Sequence, residues 1–196
     1  MAVHSWNYNL YHRNYHFYRQ VHGDFQASSN ITVDWTAPEI TINSVVTSEY
    51  NTGVFQPKFE VADILSGVDQ AKTEVMLDGK ALTALTDIPL YKLELGTHTF
   101  TVKAIDLAGN RSTKSVDFQV KTSYATLEEL VQRFADEGTI NNKGIANSLL
   151  KKLQNQNLSS FISEVHAQTR NHISAEVAEY LLRDAAMLLN PWQIDN

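Results

Sequence analysis

Residues 96–120, GTHTFTVKAIDLAGNRSTKSVDFQV, read as two β-strands around one turn. Phe100, Val102 and Ala104 occupy alternate positions, and so do Val116, Phe118 and Val120. A period of two places each trio on one face of a strand. Ala108-Gly109-Asn110 between them is turn chemistry, since Gly and Asn accept the tight backbone that a reversal demands. His98 shares the register of Phe100 and Val102 and is expected to point inward as a structural histidine. The same alternation recurs upstream, at Ile40 and Ile42, Phe59 and Val61, and Val75 and Leu77. Turn signals separate these runs at Asn51-Thr52-Gly53, Ser66-Gly67, Asp78-Gly79 and Gly96. Residues 36–122 are therefore expected to form an antiparallel β-sandwich of about seven short strands.

Beyond residue 122 the period changes to that of a helix. Thr126-Leu127-Glu128-Glu129 has the spacing of a capping box, with Thr126 as N-cap and Glu129 three residues on. Leu127, Leu130, Val131 and Phe134 make the apolar stripe, and Gly138 is placed to stop the helix. Further helices are expected from about Asn142, from Ser159 or Ser160, and from Ser174. The last carries Val177, Ala178, Leu181, Leu182, Ala185, Leu188 and Leu189, apolar on more than one side, and is expected to lie centrally. The fold class is β then α in separate domains, with a small four-helix domain over 123–196. Residues 1–24 show neither period and are expected to be an irregular arm. Residues 25–35 read as a single strand, because Ser28-Ser29-Asn30-Ile31-Thr32-Val33-Asp34 parallels Thr113 to Val120.

Composition narrows the function classes. The 196 residues are 43% apolar and 19% charged, enough for a packed core. With no cysteine there is neither a disulfide framework nor a thiol nucleophile. The 16 Lys and Arg against 22 Asp and Glu leave a net charge of −6, a poor match to nucleic acid. No apolar run has the ~18 residues needed to span a bilayer.

Several stretches resemble known modules. Asp63 to Asp69 (DILSGVD), Gly96-Thr97-His98-Thr99 and Asp106 to Asn110 (DLAGN) resemble immunoglobulin-like repeats of secreted bacterial proteins. Val33-Asp34-Trp35-Thr36-Ala37-Pro38 looks like the V-D-T-T-A-P junction between such repeats, with Trp35 in place of a threonine. The helical part is similar to the FIMAH-type module of extracellular Gram-positive proteins, through Gly144 to Leu153, Phe161 to Ala167, Ile173 and Ala178 to Leu182. The resemblance implies an Ig-like sandwich, an extracellular or cell-surface location, and a non-catalytic accessory role. That role is to space and attach an upstream domain to glycan, cell wall or a partner. A purely structural adhesin-type array is the rival, and a small stand-alone enzyme is disfavoured. Residues 25–35 would then be the remnant of a preceding repeat, and 1–24 either a non-native lead-in or a genuine short arm.

Candidate sites follow from residue type. Asp63 and Asp69 in one loop and Asp106 and Asn110 in another supply hard oxygens suited to calcium, against a reading in which they only shape turns. Tyr180 and Trp192 are the flat apolar groups on which a sugar ring would stack, against a reading in which they only pack at the core or its edge. His12, His16 and His22 lack the acidic partner of a zinc hydrolase. His166 and His172 have no paired carboxylate, and Glu128 and Glu129 diverge by ~100° on a helix. No nucleophile elbow, phosphate loop or dinucleotide fingerprint is present in the sequence, so no catalytic residue is expected.

Overall fold

The computed structural model describes residues 14–20 and 26–190, with side chains from residue 33 onward. Trp192, His4, His12, His22 and the side chain of His16 lie outside the described residues, as do the other residues of 1–13 and 21–25. Antiparallel β-structure is followed by four helices, the β-then-α order read from the sequence.

β1 (Asn14–Gln20) and β2 (Gln26–Thr32) pair antiparallel, with Asn14 opposite Thr32 and Gln20 opposite Gln26. The expectation of an irregular arm therefore fails over 14–20. Aromatic residues favour strand backbone even where no face alternates, and ladder hydrogen bonds need no amphipathic pattern. The single strand foreseen over 25–35 is β2, and its partner is β1.

The remaining strands are β3 (Glu39–Ile42), β4 (Val45–Val46), β5 (Val54–Gln56), β6 (Phe59–Ala62), β7 (Glu74–Leu77), β8 (Lys80–Ala81), β9 (Ile88–Pro89), β10 (Gly96–Ile105) and β11 (Arg111–Val120). They form three sheets, ordered β11-β10-β7-β8, β3-β6 and β4-β5-β9. In β10 the buried positions are His98, Phe100, Val102 and Ala104, the period-two set. β11 is an edge strand and only partly follows suit. Val120 is buried and Phe118 stacks on Phe55 at 4.5 Å, whereas Val116 is 40% exposed. Charged groups along that strand are the usual guard of an open edge. Between β7 and β8 the loop is only Asp78-Gly79, with φ of 51° and 73°. Those two positive values are what a two-residue hairpin turn of this hand requires.

The helices are α1 (Tyr124–Asp136), α2 (Lys143–Gln154), α3 (Leu158–Gln168) and α4 (Ala175–Leu189). Asn142 and Ser174 cap α2 and α4 as expected. The cap of α1 differs. Ser123 is the N-cap, its Oγ accepting the Thr126 N–H, while Thr126 Oγ1 accepts the Ser123 N–H. Thr126 thus takes the role foreseen for Glu129, because a hydroxyl can return the bond as a carboxylate does. Asn157, not Ser159 or Ser160, caps α3. Gly138, at φ 76°, ends α1. Consecutive helices pack together and α4 closes back on α1, around Leu130, Phe134, Leu149, Phe161 and Leu181. In that ring α4 is not central. Asp184 lies on its buried face with Val177, Leu181 and Ala185.

By contacts the chain divides into two compact units, and the division does not fall at residue 122. One comprises Met1–Thr41, Phe59–Val75 and Val102–Lys114. The other comprises Ile42–Lys58, Met76–Thr101 and Ser115–Asn196, so all four helices share a unit with strand segments. Within that second unit Tyr91 is one of the side chains that connect the strand segments to the helices. Its ring meets Phe134 edge-on at 5.2 Å and Tyr180 at 5.4 Å, and Arg133 lies over its face.

Candidate functional site

The acidic candidates belong to the first unit. Asp34 lies between β2 and β3, Asp63 follows β6, and Asp106 follows β10. Asp63 Oδ1 accepts the backbone N–H groups of Ser66 and Gly67, both at 2.8 Å, and of Leu65 at 3.2 Å. Such convergence makes one carboxylate the template of the loop. Asp106, buried, accepts the Asn110 N–H on Oδ1 and the Asn110 amide on Oδ2, each at 2.8 Å. Asp34 accepts the Thr36 N–H at 2.8 Å and the Ser66 N–H at 3.2 Å. Hydrogen bonds from Ser66 and Thr36 hold its carboxyl below the ordinary aspartate value.

One oxygen from each of Asp34, Asp63 and Asp106 lies within 4.8 Å of the other two. Asp63 and Asp106 thus come together as the sequence suggested. Asp34 joins them where Asp69 was expected. Asp69 instead pairs with Lys72 at 2.8 Å, and that contact lowers its carboxyl pKa. Asn110 adjoins the group, its amide also donating to the carbonyls of Asp34 and Thr36 at 3.1 and 3.3 Å. Calcium bonds oxygen at about 2.3–2.6 Å, so oxygens this close can share one ion. The donor chemistry fits calcium. The same carboxylates also accept every loop N–H just named, so the turn reading accounts for them without an ion.

Other predicted positions are accounted for by packing. His98 is buried, with Nδ1 2.7 Å from Asp78 Oδ2 and Nε2 2.8 Å from the Glu94 carbonyl. His172 Nδ1 meets Asn141 Oδ1 at 2.8 Å. Tyr180 is partly buried against the helical core, its hydroxyl donating to Glu176 Oε1 at 2.6 Å. Burial, reinforced by the Glu176 carboxylate, pushes its phenol up to about 12. Its ring meets Tyr91 at 5.4 Å between centroids, and the Arg183 guanidinium lies over it at 5.7 Å.

Sequence reasoning missed Asp34, whose Ser66 partner is 32 residues away, although the V-D-W-T-A-P stretch contains it. It also missed Asn51, Arg183 and Asp184, which meet in the second unit. No family model, curated protein or solved structure matches this chain. Among the described residues no helix is long and apolar enough to cross a membrane.

Proposed function

We propose that the chain is a non-catalytic accessory region of an extracellular protein, an Ig-like β-sandwich followed by a helical module, that spaces and attaches an upstream domain. The observation that supports this reading most directly is the packing of the helices on strand segments in the second unit. Tyr91 enters the edge of the helical core beside Phe134 and Tyr180, and Arg133 Nη2 donates to the Thr52 carbonyl at 3.2 Å. A module held at many points presents its surface at a fixed angle, as a spacer that also makes contact must. The helical surface is the contacting face in this reading, with glycan or cell wall as the partner class.

The test is retention of the full chain on insoluble cell-wall and plant polysaccharides, with release of soluble sugar measured on the same materials. Retention without release is the expected result. Sugar release would replace this reading with an enzymatic one. Neither retention nor release would favour the purely structural array, in which both parts only space and stiffen.

A further inference from the structure

The second unit contains a buried polar contact that the accessory reading leaves unused. Asn51, in the turn between β4 and β5, and Asp184, on α4, are both fully buried. Asp184 Oδ2 accepts the Asn51 amide. Its Oδ1 accepts Nε and Nη2 of Arg183 at 2.9 and 2.8 Å. Arg183 extends the contact, donating through Nη1 to the Leu93 carbonyl at 2.5 Å and through Nη2 to the Tyr91 carbonyl at 3.2 Å. Asn51 is itself fixed, because its backbone N–H donates to the Lys121 carbonyl at 2.8 Å and its amide to Thr122 Oγ1 at 3.3 Å.

A carboxylate taken out of water is tolerated only when its lone pairs are met, and it is met here from two directions. Apolar packing alone is tolerant of sliding, whereas this set of bonds has one register. Each backbone partner, Lys121, Tyr91 and Leu93, belongs to the segments flanking the strands, and both charged groups belong to α4. We propose that Asn51, Arg183 and Asp184 form a clasp that fixes the register of the four helices on the strand segments of their unit and makes the two open together. The inference is independent of what, if anything, the helices bind.

Two features set the choice of variants. Asn51 Oδ1 is buried without a hydrogen-bond partner among the described residues. In Asp184→Asn the Asn51 amide can turn over and present that oxygen to the new NH2 group, so a hydrogen bond survives there. Asp184→Ala has no such recourse. Arg183→Met removes the bonds to the Tyr91 and Leu93 carbonyls together with those to Asp184 Oδ1, at a side chain that retains some exposure.

The experiment is native-state hydrogen exchange on the full chain in low denaturant, comparing amides of Val131 and Leu181 with that of Phe100. In the wild-type chain these amides are expected to converge on one opening, with a shared denaturant dependence. In Arg183→Met and in Asp184→Ala the helix and strand amides should separate by at least tenfold in opening constant, while Asp184→Asn keeps them within a few-fold. Separate openings in the wild type would overturn the clasp. So would convergence in Arg183→Met as complete as in the wild type.

Discussion

At the scale of single residues, the carboxylates divide by what surrounds them. Asp63 receives three loop N–H groups on one oxygen, a role an amide oxygen can also fill. Asp63→Ala should therefore lower stability by about 1–3 kcal/mol, while Asp63→Asn should lose much less. Thermal melts with and without millimolar calcium check this, and a calcium-dependent gain abolished in Asp63→Asn would add an ion to the loop role. Asp184 behaves differently. Burial raises its pKa above the ordinary value, with Glu94 adding to the shift, and Arg183 and Asn51 oppose it only in part. A carboxyl raised in the folded state contributes stability that is fully present below the unfolded pKa and lost as pH rises through the folded one. Thr122 on the facing segment is uncharged, leaving Arg183 and Glu94 as the charges in play. The stability of the wild type relative to Asp184→Asn should accordingly rise as pH is lowered from 7 towards 4. Denaturant melts across that range measure it, and a difference independent of pH would contradict the sign.

At the scale of elements, the sequence disclosed patterns that one strand or one helix carries by itself. β10 was legible because Phe100, Val102 and Ala104 repeat at the strand period, and α4 because Ser174 and its apolar stripe adjoin. What stayed hidden depends on a partner far along the chain. β1 shows no apolar face, and its strand character lies in pairing with β2. Asp34 is an ordinary junction residue until Ser66 folds against it. Asp184 follows Arg183 on a helix, where a neighbouring pair of opposite charges ordinarily marks the solvent side. The cap of α1 failed for a local reason, since Ser123 and Thr126 have the same spacing as Thr126 and Glu129. Ser123→Ala should destabilise α1 by about 1 kcal/mol, in the usual range for an N-cap, and Glu129→Ala by only a few tenths. Urea melts of the two variants distinguish them. Equal losses would restore Thr126 as the cap.

At the scale of the whole molecule, the division into two units bears on how the chain comes apart. The sequence placed the boundary between independent domains at residue 122, yet the second unit contains strand segments and all four helices. The helical part carries its own core, from Leu127 to Ala185, and a fragment of residues 123–196 should stay helical and unfold cooperatively. A fragment of residues 36–122 starts from a weaker position. It loses the cover that Phe134 and Tyr180 give the Tyr91 ring, and Asn51 loses its carboxylate partner. Re-exposing an aromatic of that size costs about 1.5–3 kcal/mol, before the unpaired amide is counted. The strand fragment should therefore melt well below the full chain, at a midpoint lower by about 4–8 °C for each kcal/mol lost in a domain of this size. Circular dichroism of the two fragments and the full chain reads both midpoints. A strand fragment as stable as the full chain would mean that the helices lend it nothing, and the boundary at residue 122 would stand as an energetic one.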